Sequence, residues 1–272
     1  MAFRDDYKIY GMEYAAERSA RLGFDSVEFL DGCPSASPLY ESIDAGYAER
    51  VLAQNGLTVA CCSLGADLLT SDTDKLKEQL ARQIEFAARV KSPYLHHTLA
   101  LSLSVGADAP SYQSVLDRVL EKVIWIAERC AEYGMTCLYE PQGMYFNGVE
   151  GLRRLYRCVR EHCENVGICG DVGNSLFVDV SANDVFDTFA DSIRHVHVKD
   201  YGIGDRPSEK EMFWKSRGGK YMFDREMGQG VTDFAYCFAK LKQIGYRSAV
   251  SFEISGDDQY LTRAIDFIKT FL

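Results

Sequence analysis

The chain has 272 residues, 47 % hydrophobic and 26 % charged, with a formal net charge of −10. That acidic balance argues against a nucleic-acid surface, which carries a basic face, and no apolar run approaches the ~18–20 residues of a membrane span. The N-terminus, Met1-Ala2-Phe3-Arg4-Asp5-Asp6, has no signal-peptide apolar stretch, and the nine cysteines are odd in number without a Cys-x-x-Cys spacing, so the reading is a cytoplasmic protein with reduced, mostly buried thiols.

Met1 to Tyr10 carries little pattern. Tyr14 to Leu22 reads as a helix closed by Gly23, and Asp25 to Asp31 as a strand. Gly32 to Pro38 is a loop, Ser42 to Asn55 a helix ending at Gly56, and Leu57 to Leu64 a strand. Thr70 to Val90 is a long amphipathic helix with Ser71 or Asp72 as its cap. Pro93 to Leu101 is a strand carrying His96 and His97, followed by a loop through Pro110. Ser114 to Tyr133 is a helix, Met135 to Glu140 a strand, Val149 to Cys163 a helix and Val166 to Asp171 a strand. Ala182 to Phe189 is a short helix before the strand Ile193 to Lys199. Val231 to Ile244 is a helix, Ser248 to Ile254 a strand, and Asp257 to Leu272 the last helix.

Alternating strands and helices predict a parallel sheet with crossover helices. An open doubly wound sheet and a closed (β/α)8 barrel both satisfy that pattern. No Gly-x-Gly-x-x-Gly turn follows the early strands, which counts against a dinucleotide fold, and polar residues recur at the downstream ends of several late strands, as in a barrel. The barrel is therefore expected, as one domain over 1–272. Only seven strands are evident, so Phe3 to Tyr10 is either a stunted first strand or the barrel is open there.

The segment Arg194-His195-Val196-His197-Val198-Lys199-Asp200 organises the functional reading. In a strand, His195, His197 and Lys199 share one face, with Val196 and Val198 on the other. A histidine pair is a natural divalent-metal donor that needs carboxylates to complete a site. Glu140, Asp171 and Glu253 each stand at the end of an apolar run. Several unpaired buried charges would be costly, which favours a cation among them. His195 reads equally as a hydrogen-bonded core residue. His96 and His97 point to opposite faces, and His97 is preferred as a substrate contact.

Gly23-Phe24-Asp25-Ser26-Val27-Glu28, Leu138-Tyr139-Glu140-Pro141, Asp171-Val172-Gly173-Asn174, His195-Val196-His197-Val198-Lys199-Asp200, Gly228-Gln229-Gly230 and Phe252-Glu253 together resemble the sugar phosphate isomerase/epimerase family of the xylose-isomerase-like TIM-barrel superfamily. The resemblance spans nearly the whole chain. It implies one divalent ion, Mn2+ before Mg2+, Co2+ or Zn2+, held by Glu140, Asp171, His197 and Glu253. It also implies Glu140 and Glu253 as the acid/base pair of an isomerase or epimerase working through an enediolate on a ketose, aldose or related polyol. Where ketose 3-epimerases of this kind carry a histidine, a second glutamate and an arginine, this chain has Asn174, Phe146 and Ile203. An inosose-dehydratase-like lyase with the same metal site is the alternative; an endonuclease-like phosphodiesterase and a non-catalytic sugar-binding protein rank below it.

The stretch from Tyr201 to Gly230 exceeds an ordinary βα loop of ~2–6 residues. It reads as a lid-like insertion, with Trp214 for a sugar face and Arg206 for an acidic group, or as a solvated or oligomer-facing one. Asn174, His97, Lys199, Arg206 and Trp214 are the expected substrate-side residues. The expected partner is a small carbohydrate, not nucleic acid or membrane, and homo-oligomers are left open.

Overall fold

A computed structural model describes residues 3–31, 39–100, 103 and 108–272. The loop expected at Gly32 to Pro38 lies outside the described residues, as do 101–102 and 104–107 of the loop expected before Pro110. In chain order the elements are α1 (Arg4–Tyr10), α2 (Met12–Arg21), β1 (Ser26–Asp31), α3 (Leu39–Ser42), α4 (Ala45–Gln54), β2 (Thr58–Leu64), α5 (Thr73–Arg89), β3 (Tyr94–His97), α6 (Tyr112–Glu132), β4 (Thr136–Tyr139), α7 (Gly148–Arg160) and β5 (Val166–Asp171). They continue with a 3-10 turn at Asn174–Val178, α8 (Ala182–Phe189), a second 3-10 turn at Ala190–Ser192, β6 (Ile193–Val198), β7 (Asp200–Gly204), β8 (Trp214–Lys215), β9 (Tyr221–Arg225), α9 (Phe234–Gln243), β10 (Val250–Phe252) and α10 (Asp258–Lys269). None of the described helices is long and apolar enough to cross a membrane.

The chain groups into two compact units. The first comprises Met1–Ala100, Ser111–Tyr139 and Tyr156–Gly167. In it β1, β2, β3 and β4 are successive parallel neighbours. Helix α6 turns Val115, Leu116, Val119, Val123, Ile126, Ala127 and Cys130 inward, the 3–4 spacing of an apolar stripe. Its first turn is capped by Ser111 Oγ, which accepts from Ser114 N at 3.2 Å. Asp72 caps α5 in the same way, accepting from Lys75 N.

Of the two alternatives for the start of the chain, the stunted first strand is removed: Arg4–Tyr10 is a helix, and Asp5 and Asp6 in its first turn and Lys8 in its last suit the helix dipole. The strand expected to reach Leu101 stops at His97; just beyond it the Thr98 hydroxyl accepts from Ala66 N at 2.7 Å and donates to Ala66 O at 2.6 Å, tying the chain to the Ala66 backbone instead of a further strand partner.

The second unit comprises Leu101–Pro110, Glu140–Leu155 and Ile168–Leu272. Its parallel strands run β5, β6, β10, with His197 opposite Asp171 on one side and Ser251 on the other. Strands β7, β9 and β8 form a separate antiparallel sheet, so the long insertion is built structure rather than open loop. Phe234, Phe238, Phe267 and Phe271 of α9 and α10 and the segment after them pack ring to ring.

Candidate metal centre

Parallel register brings the polar residues of the second unit together. Asp171 is the last residue of β5 and His197 the fifth of β6, as Cα partners. Glu253 directly follows β10 and continues its ladder, donating its backbone N–H to Val198 O at 3.0 Å. Glu140 directly follows β4. Glu140, Asp171, His197 and Glu253 each offer a ligand atom within 4.8 Å of the others.

The contacts fix how each group is presented. His197 Nδ1 and Glu140 Oε1 share a hydrogen bond of 2.7 Å, and Glu253 Oε1 lies 3.5 Å from the same nitrogen. Asp171 Oδ1 accepts from the backbone of Gly173 at 2.7 Å and Asn174 at 2.6 Å. That leaves Oδ2 turned toward Lys199 Nζ, 2.9 Å away. Lys199 Nζ also donates to Glu253 Oε2 and, at 3.0 Å, to Asn174 Oδ1. Glu140, Asp171, Asn174, His197 and Lys199 are all buried.

Electrostatics follow from that burial. Burial pushes the Glu140 carboxyl up to about 8; His197 opposes the rise, and the neighbouring Asp171 and Glu253 charges add to it. Burial disfavours the Lys199 ammonium, but Asp171 and Glu253 outweigh it and hold its pKa well above the usual lysine range. With every carboxylate ionised, Lys199 leaves the cluster two positive charges short, the charge of one divalent ion. Three carboxylates and an imidazole are the donor set of a hard or borderline divalent cation such as Mn2+, Mg2+ or Co2+. The residues present therefore fit such an ion.

The surroundings hold this arrangement in place. A Cβ on Gly173 would come within 2.7 Å of Lys199 Cγ and 3.0 Å of the Tyr201 ring, so glycine there lets both side chains pass. Asn147 donates to Asn174 O at 2.8 Å and to Gly143 O at 3.0 Å, pinning the turn after β5. His195, below His197 on the same face, bonds Ser251 Oγ at 2.9 Å and packs edge-on to His197, matching the core reading. Phe177, Tyr201 and Trp214 meet edge to face, with ring centroids 5.8–6.3 Å apart. Two carboxylates help fasten the insertion. Asp179 accepts from Ser216 Oγ and Gly218 N, and Asp200 accepts from Tyr201, Gly228, Gly230 and Thr232 N–H groups.

The remaining expected residues fall as follows. Trp214 joins the aromatic group that reaches Gly173 through Tyr201. Arg206 is exposed after β7. His97 is turned to the face of β3 opposite His96: its ring packs edge-on to Tyr139, and Nδ1 lies 3.0 Å from Thr98 O. His96 instead meets Ser63 Oγ at 3.0 Å, and that hydroxyl donates to Glu28. Strand alternation separated the two histidines, but the direction of the pleat was not readable. Asn147, Phe177 and Tyr201 were not anticipated. Tyr201 carried a signal, being two residues beyond Lys199 in an extended run; Asn147 carried none.

Comparison with known proteins adds the family. The chain resembles solved structures at low identity. A D-allulose 3-epimerase from Methylomonas sp. matches with TM-score 0.72 and 21 % identity, covering 96 % of this chain and 92 % of that one. A xylose isomerase-like TIM barrel protein from Mycobacterium smegmatis in complex with magnesium matches with TM-score 0.71 and 17 % identity, covering 95 % and 87 %. A sugar phosphate isomerase/epimerase from Parabacteroides distasonis matches with TM-score 0.67 and 14 % identity, covering 99 % and 92 %. Among curated proteins none matches this chain. The family model described as xylose isomerase-like TIM barrel matches residues 16–271. The (β/α)8 class expected from the strand and helix pattern is borne out, and the chain belongs to the xylose isomerase-like TIM barrel family.

Proposed function

We propose that this protein is a divalent-metal-dependent isomerase or epimerase of a small sugar or related polyol. The observation that carries the reading is the convergence of Glu140, Asp171, His197 and Glu253, drawn from four strand ends, around one point. The epimerase and isomerase/epimerase among the similar structures support the same class, and the magnesium complex supports the ion. Mn2+ is the ion we favour, with Mg2+ and Co2+ next.

A bound divalent ion would supply Lewis acidity, polarising a sugar carbonyl and stabilising enediolate charge. Glu140, Asp171, His197 and Glu253 are the residues that would hold it. Glu253 is half-buried and serves as base, removing the proton on the carbon beside the carbonyl. Glu140 is the second carboxylate of the pair and returns one. Lys199 and Asn174 bind substrate oxygens from the mouth of β6 and the turn after β5. Trp214, with Phe177 and Tyr201, covers an apolar sugar face, and Arg206 meets an acidic group on the substrate.

The lyase reading shares proton abstraction and then expels a β-hydroxyl. Asn174, Phe146 and Ile203, which depart from the ketose 3-epimerase pattern, keep it in view: Phe146 is buried and Ile203 is 44 % exposed, so neither restores the missing polar group. The test is a panel of ketoses and aldoses in D2O with chelator-stripped protein reloaded with Mn2+, Mg2+ or Co2+. Metal-dependent deuterium incorporation is expected. Loss of water with a new carbonyl selects the lyase; absence of both across the panel, with metal bound, overturns the proposal.

A further inference from the structure

The acidic cluster already contains a cation. Lys199 Nζ bonds Glu253 Oε2, lies 2.9 Å from Asp171 Oδ2, and donates to Asn174 Oδ1 at 3.0 Å. Asp171 has no other oxygen to offer a ligand, because Oδ1 is committed to the backbone of Gly173 and Asn174. An ammonium and a divalent ion would therefore draw on the same oxygen of Asp171 and the same carboxylate of Glu253. The stem of Lys199 is confined where its Cγ passes Gly173, so the ammonium moves by its far end. Asn174 Oδ1 is the neutral acceptor among its three partners, the one that need not turn to an incoming ion.

We infer that Lys199 is a resident counter-ion that holds Asp171 and Glu253 together before a metal arrives and competes with the metal for them, with Asn174 as the acceptor that keeps the displaced ammonium. The inference rests on the cluster being a metal centre. It makes Lys199 a positioning residue that sets the affinity of the centre, apart from any contact with substrate. Removing a buried charge partner costs the metal-free fold, because two carboxylates lose it. Removing a like charge beside the ion favours binding.

Calorimetric titration of chelator-stripped protein with MnCl2 tests this, alongside thermal melting of the same samples. Lys199→Met and Lys199→Gln are expected to bind Mn2+ about tenfold or more tightly than wild type, while their metal-free forms melt at lower temperature. Asn174→Ala, which keeps the backbone amide that Asp171 uses, is expected to bind Mn2+ several-fold more weakly. Adding Lys199→Met to it is expected to remove that loss. A merely structural lysine would lower both stability and affinity, and that result overturns the inference. So does unchanged affinity in the Lys199 variants while wild type binds. If a Lys199 variant does not fold metal-free, the Asn174→Ala titration decides alone, and unchanged affinity there refutes the exchange. Absence of Mn2+ binding in wild type and in every variant sinks the metal centre itself, a distinguishable failure.

Discussion

His97 and His197 are both fully buried and both stand at or next to the end of a parallel strand, yet their surroundings differ. His97 packs against the Tyr139 ring. Burial alone would lower its pKa, but Cys137 beside it raises it on balance, so its partners are soft, weakly polar groups. His197 faces Glu140 and Glu253, with Lys199 bridging to Asp171. The His97 imidazole lies among a thiol, a phenol ring and backbone, with Nδ1 3.0 Å from Thr98 O. Several carboxylates around an imidazole leave a charge deficit that invites a cation, because buried unpaired charge is expensive. The same residue type thus marks a packed core in one unit and a cluster of carboxylates in the other.

The largest expected effect lies in the second centre. Glu253→Gln keeps the side-chain volume and removes the proposed base, and should lower metal-dependent proton exchange by about 10²–10⁴-fold with the fold intact by circular dichroism; exchange at the wild-type rate would break the contrast outright. A pH series on metal-free protein comes next. Glu140 titrates near 4.5 when unfolded and about 8 when folded, so the folded state holds its proton more tightly. The resulting stabilisation is present below 4.5 and is lost as pH rises through 8. Melting temperature of the stripped protein should fall over that window, with a smaller fall after Mn2+ is added. A flat metal-free profile would place Glu140 in a less crowded field than its neighbours indicate.

Trp214→Ala should raise KM about tenfold with little change in kcat, the mark of lost uniform binding, whereas Trp214→Phe should recover most of it. Unchanged KM would remove the aromatic group from substrate contact. The smallest effect on catalysis belongs to His97→Phe. It should cost stability, about 1–3 kcal/mol, as buried hydrogen-bonding partners lose their mate, while kcat/KM stays within about twofold. A large loss of activity at unchanged stability would return His97 to the functional side.

The parts of this molecule legible in sequence are those set by short-range rules. Strand alternation put His195, His197 and Lys199 on one face, and all three do turn to that side, bonding Ser251, Glu140 and Glu253 in turn. The clustered carboxylates Glu140, Asp171 and Glu253 are visible in sequence because each terminates an apolar run. For Arg4–Tyr10 the strand count leaves a stunted strand or an open barrel as alternatives, and the charge pattern of the stretch suits the helix that forms. For His96 and His97 alternation fixes only relative facing, and the absolute phase comes from cross-strand partners such as Ser63. The insertion was visible by its length alone. Its antiparallel pairing and its fastening to Asp179 depend on partners far away in sequence.

Asp200 carries one last implication. Its carboxylate gathers amide hydrogens from both margins of the insertion, Tyr201 at the start and Gly228, Gly230 and Thr232 at the end. A Cβ on Gly230 would stand 2.2 Å from that carboxylate, so the clasp tolerates no side chain there. The roots of the insertion are thereby riveted to the residue that follows Lys199. Any swing of the segment must pivot farther out and stay within the largely exposed run 205–213, because Trp214 is held by its pairing with Met222 and by the Asp179 fastening just after it.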